Sequence, residues 1–288
     1  MSLSKYRAFL TAVEYGSITK AAEVLGYTQP AVSHMIASLE KEFGVTLLFR
    51  AKDGVSPTED AKTFIFYIRQ IINSEDKYRE TAKKIANVET GLLRIGSFPS
   101  IALRWFPGIL SEFRRLHPGI NVQLYEGAHV ELSQYLAEGK IDIAFMSTPI
   151  PEGFLFQPLK RDPICAVLPK KHPLTLNRRV ALSDLANFPL ILPPEQIDLD
   201  IWKVVHSEGL QPQALIRIQG DHTIIELVGR GLGISLMPRL AIAPPLGKVT
   251  IRRLMPNYTR TLGIAMHSLE YASPSMREFF RITNQMMQ

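Results

Sequence analysis

Apolar residues in the first sixty positions recur at helical spacing, in short blocks broken by single glycines. Tyr6, Phe9, Leu10 and Val13 step by three and four and predict a first helix. Ile18, Ala21, Ala22 and Leu25 form a second stripe, which halts at Gly26. Val32, Met35, Ile36 and Leu39 form a third. Thr28 can cap that helix, and Pro30 suits its first turn, where a missing N–H does no harm. Gln29, Ser33, His34 and Ala37 fall on its opposite side. Small Ala22 lets the second and third helices cross closely. This is helix-turn-helix geometry, whose second helix enters the major groove. A buried helical hairpin is the competing reading, but it leaves the polar face without a purpose.

Asp53-Gly54 is a hairpin signal between two short apolar runs, so Val45 to Thr58 predicts a wing with Arg50 and Lys52 near its tip. Residues 1–58 therefore read as a winged helix-turn-helix domain. Thr28, Gln29, Pro30, Ser33 and His34 are the residues expected at the groove. Lys20, Arg50 and Lys52 are the expected phosphate contacts.

From 59 to 90 the pattern is one long stripe: Ala61, Phe64, Ile65, Ile68, Ile71, Ile72, Tyr78, Ala82, Ile85 and Ala86, with Gly91 as the stop. Thr58 can cap it, and Glu59 and Asp60 suit its positive end. At roughly 1.5 Å per residue the helix would be about 45 Å long. A helix of that length with one greasy stripe wants a partner helix. The alternative is packing on its own domain. Phe64, Ile68 and Ile72, its most apolar members, are the expected dimer interface.

Beyond residue 91 the periodicity switches. Strand-like runs at 92–96, 121–125, 141–145, 164–168, 189–192, 215–218, 233–236 and 261–265 alternate with helical runs, notably 101–116, 129–138, 222–230 and 275–286. The alternation predicts parallel sheets covered by helices. Ligands in such sheets sit beyond the carboxyl ends of strands. That rule selects Ser97, Ser100, His129, Ser147, Thr148, Pro194 and Thr223 as an expected ligand-binding set, which the resemblance described below would bring to one effector cleft. Each hydroxyl can instead be an ordinary helix cap. Free helix ends and hydroxyls hint at an anionic effector, while Asp221 and Glu195 pull the other way.

The chain has 288 residues, 46% of them hydrophobic and 21% charged, enough for two or three globular domains. Its net charge of +6 changes the picture little. Residues 1–58 hold six Lys and Arg against five Asp and Glu, and residues 91–288 hold 21 against 16. The basic excess lies mostly outside the predicted DNA reader, so the DNA argument rests on where Lys20, Arg50 and Lys52 sit. One cysteine, Cys165, permits no internal disulfide and lies in an apolar strand run, which predicts burial. No run is long enough to span a membrane and no signal-peptide pattern opens the chain, so the expected location is the cytoplasm. There is no nucleophile elbow, phosphate loop, Cys-x-x-Cys or His-Glu-x-x-His. The glycine-rich stretch from Gly229 to Gly233 falls between a helix and a strand, the reverse of a phosphate loop. The expectation is no enzyme, no cofactor and no metal.

The run Phe9-Leu10, Gly16 to Leu25, Thr28 to Ser33, Ile36, Leu39-Glu40, Phe43 to Val45 and Leu48 to Arg50 resembles the N-terminal signature of LysR-type transcriptional regulators. Length and element order extend the resemblance more loosely over the whole chain. One departure is Ser56-Pro57-Thr58-Glu59-Asp60-Ala61, where the family commonly has Leu-Thr-x-Ala-Gly. The resemblance implies an α+β chain of three parts. These are a winged helix-turn-helix at 1–58, a dimerising linker helix at 59–90, and a two-lobed α/β effector domain of the periplasmic-binding type at 91–288. Lobe I would take about 91–161 and 266–288, and lobe II about 162–265. It also implies a regulator gated by a small polar effector, acting as a dimer or tetramer on double-stranded DNA, with RNA polymerase as a further partner. The alternatives are a constitutive DNA-binding protein with an empty effector fold, and a solute receptor of the periplasmic-binding fold.

Overall fold

The computed structural model describes residues 3–51, 54–85, 90–207, 209, 214–242, 247–270 and 272–287. The chain folds as two compact units, Met1–Gly91 with Ala137–Lys140, and Leu92–Leu136 with Ile141–Gln288.

The first unit opens with α1 (Leu3–Tyr15), α2 (Ile18–Leu25) and α3 (Gln29–Phe43). Ser17 caps α2, its Oγ accepting from Lys20 N at 3.2 Å, and Gly26 ends it in the left-handed conformation at φ 70°. Thr28 caps α3, its Oγ1 accepting from Ala31 N at 3.4 Å. A hairpin follows, β1 (Leu48–Ala51) paired antiparallel with β2 (Gly54–Pro57). Gly54 has φ +138°, and a Cβ there would meet Gly16 O at 2.4 Å; only glycine lets the hairpin close on the α1–α2 turn. Val55 N donates to the same carbonyl at 2.9 Å. Lys52 and the turn residue Asp53 lie outside the described residues.

The long helix α4 (Glu59–Ile85) starts where the sequence places it. Thr58 Oγ1 accepts from Ala61 N (3.1 Å) and donates to Thr46 O (2.8 Å). Its apolar stripe does not serve as expected. Ile68 and Ile72 are 2% and 6% exposed, and with Ala61 and Ile65 they join the core formed by Phe9, Val32, Ile36 and Leu39. Phe64 packs on that core and stacks on Phe43, with ring centroids 4.8 Å apart. The predicted dimer set, Phe64, Ile68 and Ile72, is therefore spent inside the chain's own domain. Arg7 on α1 fastens α4 further through Glu75 (3.0 Å) and Asp76 (2.8 Å).

The second unit begins with β3 (Gly91–Ser97), α5 (Pro99–Arg104), α6 (Phe106–Leu116), β4 (Ile120–Glu126), α7 (His129–Ala137) and β5 (Ile143–Ser147). The single helix expected over 101–116 is two helices broken at Trp105, because Pro107 has no N–H to continue the ladder. A 15-residue strand, β6 (Leu155–Pro169), then carries the chain into the second lobe. There follow β7 (Arg179–Ala181), α8 (Leu182–Leu185), β8 (Leu190–Leu192), α9 (Leu199–Ser207), β9 (Ala214–Arg217), α10 (Asp221–Gly229), β10 (Ser235–Pro238) and β11 (Val249–Met255). The chain returns through β12 (Thr259–Met266) and ends on α11 (Pro274–Met287).

The main sheet runs β4-β3-β5-β12-β6-β11-β7, with β10 also on β6. It is mixed, not parallel as the rhythm predicts. The β3–β5 and β11–β7 pairs are parallel, whereas β6 pairs antiparallel with β10, β11 and β12. A separate parallel pair, β8–β9, completes the second lobe. β6 pairs with β12 from Leu155 to Pro163, then with β10 and β11 from Ile164 to Pro169. The outward crossing thus falls near the expected residue 162. The return crossing does not lie near 265. β12 pairs with β5 and the first half of β6 along its length, so the chain has already returned by Thr259. Each lobe has its own core: Phe106, Phe113, Phe145 and Phe279 anchor the first, and Trp202, Leu192 and Leu254 the second.

Candidate nucleic-acid interface and effector cleft

In α3 the apolar positions Val32, Ile36 and Leu39 are fully buried, and helical periodicity leaves Gln29, Pro30, His34 and Ala37 exposed on the other side. Thr28, the cap, is exposed beside them. Ser33 is half-buried and its Oγ accepts from Arg50 Nη1 of β1 at 3.2 Å, so the wing guanidinium leans on the recognition helix. Lys20 is exposed on α2 and donates to Glu23 at 2.9 Å. Such an exposed surface pair is worth little. Seven of the eight sequence-selected groove and phosphate residues thus occupy one motif, Lys20, Thr28, Gln29, Pro30, Ser33, His34 and Arg50, and the eighth, Lys52, lies outside the described residues.

The second unit holds a cavity of about 510 Å³ between its lobes. From lobe I come Phe98, Ser100 and Leu103, the turn Gly127 to His129, and Glu126 and Glu131. From lobe II come Pro193, Asp198, Asp200 and the Gln219 to His222 turn. Arg260, the second residue of β12, lines it where the lobes meet. Of the expected effector set, only Ser100 and His129 line this cavity. Ser97 is buried and donates to Phe98 O (2.9 Å). Ser147 donates to Asp200 Oδ2 (2.6 Å). Thr148 belongs to a second groove with Lys203 and Tyr258, and its carbonyl accepts from Lys203 Nζ (2.8 Å). Pro193, not Pro194, reaches the wall, and Thr223 lies behind Gly220.

Sequence reasoning missed Arg260, Asp162, Asp198 and Asp200, and took Asp221 only as a charge opposed to an anionic ligand. Arg260 is buried; its Nε donates to Asp162 Oδ2 at 3.0 Å, and its Nη2 lies 3.0 Å from the same oxygen as an ion pair. Its Nη1 lies 3.8 Å from Asp200 Oδ2, its Nη2 donates to Ser100 Oγ at 3.2 Å, and the guanidinium sits 5.6 Å from the Phe98 ring centre. Asp162 Oδ1 meanwhile accepts from Leu240 N (2.9 Å). Asp198 caps α9, accepting from Ile201 N at 3.1 Å. Burial pushes the Asp198 carboxyl up, against the pull of Arg260. Asp221 is raised as well, by burial first and then by the negative charge of Asp198. His129 is 7% exposed; its Nδ1 faces Ser133 Oγ at 3.5 Å, while its buried Nε2 has no partner. The signal for Asp198 and Asp200 was present: an Asp ahead of Ile201, Trp202, Val204 and Val205 marks a capped amphipathic helix.

A winged helix-turn-helix followed by a two-lobed α/β ligand-binding unit defines the class, a ligand-responsive DNA-binding regulator. Residues 3–62 match the bacterial regulatory helix-turn-helix domain of the lysR family, and residues 86–288 match the LysR substrate-binding domain. The chain belongs to the LysR family of transcriptional regulators. It is 27% identical to the regulator YvbU of Bacillus subtilis over 289 residues, covering 99% of each chain. It is 30% identical to BenM of Acinetobacter baylyi over 245 residues, 83% of this chain and 80% of that one. Among solved structures, a full-length point variant of OxyR from Pseudomonas aeruginosa superposes with a TM-score of 0.81 at 24% identity, covering 100% of this chain and 94% of that one.

Proposed function

We propose that Gln29, Pro30, Ser33 and His34 read base edges in the major groove, while Lys20, Arg50 and Lys52 hold phosphates on either side. The observation that carries this is the split of α3 into a fully buried face and an exposed polar one beside the wing arginine. Gln29 can pair bidentately with adenine, and His34 can donate to guanine or touch a phosphate. Gln29→Ala should cost about 1–3 kcal/mol on the cognate site and relax base preference there. Fluorescence anisotropy against cognate and scrambled duplexes measures this. Equal binding to both by parent and variant would displace the helix from the groove.

Regulation runs through the cleft of the second unit, with Ser100, His129 and the loops of both lobes facing the effector. The interlobe cavity of about 510 Å³ and the unpartnered His129 Nε2 favour this over a DNA-binding protein with an empty effector fold. The protein works in the cytoplasm as a homo-oligomer on a two-fold DNA site, with RNA polymerase as a further partner. Its dimer contact is the remaining exposed face of α4, where Tyr67, Ile71 and Tyr78 stand in solvent at four- and seven-residue steps.

A further inference from the structure

We infer that the effector of this cleft is a small organic cation, a protonated amine on an apolar body, held by Asp198 and Asp221. The inference rests on the reading of the cleft as an effector site and supplies its chemical class.

Charge is the first argument. Five carboxylates line the cavity, Glu126, Glu131, Asp198, Asp200 and Asp221, against one guanidinium, Arg260. That guanidinium is already committed to Asp162 and Ser100 and lies beside Asp200. An incoming carboxylate would find no free cation and would meet uncompensated negative charge in a partly desolvated space. Among the described residues, no cation stands within ion-pair distance of Asp198 or Asp221. Both carboxyls are half-buried, and desolvation holds them above the ordinary carboxylate range even against the pull of Arg260 and, for Asp221, of His222. A ligand cation is the missing partner.

The acidic groups do not stand alone. His129 projects into the same cavity from the first turn of α7, more than nine-tenths buried, with Nε2 unsatisfied. A buried ring nitrogen without a partner awaits one from the ligand, since such groups are nearly always paired. Beside the polar Ser100, Gln219 and His222, the wall carries an apolar part: Phe98, Leu103, Ile197, Ile224, Pro238 and Ala241. That wall suits a hydrocarbon body and so an organic cation. A metal ion fits less well, since among the described residues no three His, Cys, Asp or Glu are grouped to hold one.

The test uses the full chain at pH 7 and constant ionic strength. The probes are benzylamine, cyclohexylamine and agmatine, each beside a size-matched carboxylate and alcohol, with melting temperature and calorimetric titration as readouts. At least one amine should raise the melting temperature by roughly 3 °C at ten times its dissociation constant, with its anionic and neutral counterparts silent. Asp198→Asn and Asp221→Asn should each weaken that amine roughly 10-fold or more. Without ligand, both variants should melt no lower than the parent, because Asn still caps α9 and repulsion is relieved. A carboxylate or alcohol binding better than its amine, amine binding unchanged in both variants, or no amine binding at all overturns the inference. Variants melting several degrees below the parent would make the carboxylates structural and overturn it too. DNA binding in the same samples separates the two readings. A carboxylate that binds and alters operator affinity leaves effector gating intact while the cation falls. An amine that binds without altering it leaves the cation standing while gating falls.

Discussion

At the scale of single residues, Arg260 is the charge on which the cleft depends. It is buried and shared between Asp162, Asp200 and Ser100. Breaking a buried ion pair leaves an uncompensated charge, so Arg260→Ala should cost about 3–5 kcal/mol, read by urea denaturation. A loss below about 1 kcal/mol, the worth of a surface pair, would mean solvent already reaches Asp162. The carboxyls opposite set a pH dependence. Asp198 and Asp221 titrate higher in the folded chain than their ordinary value, with Arg260, Asp200 and His222 as their charged or titratable neighbours. Between the unfolded and folded values the native chain holds more protons than the unfolded chain. Stability from these groups is therefore greatest below the unfolded value and is lost as pH rises through the folded one. Melting curves from about pH 4 to 7 should fall more steeply for the parent than for the Asp198→Asn, Asp221→Asn double variant. Parallel curves would remove the effect. Cys165 sits at the other extreme: 2% exposed, with burial pushing its thiol up to about 11, it offers almost no thiolate for oxidation.

At the scale of elements, α4 shows what a periodic pattern leaves open. Ala61, Phe64, Ile65, Ile68 and Ile72 of the predicted stripe share one buried face, whereas Ile71, Tyr78 and Ala82 fall outside it, and periodicity cannot say which surface the stripe meets. Phe64, Ile68 and Ile72 meet the chain's own α1 and α3 core, and the exposed apolar residues lie on another face. Ile68→Asp should therefore unfold the DNA-binding unit, with circular dichroism showing lost helix and melting well below the parent. Ile71→Asp should keep the fold and weaken self-association, read by light scattering. A folded, dissociated Ile68 variant would reverse this assignment. The helix-turn-helix was legible because it is local: Ser17, Gly26 and Thr28 punctuate helices whose stripes need only near neighbours. The cleft was legible only in part. Ser100 and His129 follow strands that the sequence marks clearly. Asp198 and Asp200 belong to the start of α9, whose nine residues are too short a periodic run to stand out beside the turn-like Pro193-Pro194. Arg260 stands just ahead of the apolar Thr261–Ala265 run, and its burial follows from pairing across β6 to Asp162, a contact 98 residues away.

At the scale of the second unit, β6 and β12 join the lobes, so the lobes can reorient only about those two strands. Polar links hold the arrangement seen here. Ser147 of lobe I donates to Asp200 of lobe II, Lys203 reaches the Thr148 carbonyl, and Arg104 donates to Ile242 O at 3.2 Å. An effector touching both lobes binds best when they stand closed on it, and it shifts the protein only by its preference for one arrangement. Ser147 does not itself line the cavity; Ser147→Ala removes the 2.6 Å link and releases the lining carboxylate of Asp200 to Arg260 alone. A hydrogen bond to a charged group contributes about 1.5–3 kcal/mol, so the closed arrangement should become less populated by roughly 10-fold or more. Apparent affinity for a bound amine should fall in proportion, because only the competent fraction binds. Operator affinity without effector should stay near that of the parent, since the DNA reader is a separate unit. Calorimetry of the amine beside anisotropy on operator DNA measures the two quantities together. Unchanged amine affinity would show that the Ser147–Asp200 link persists in every lobe arrangement and takes no part in gating.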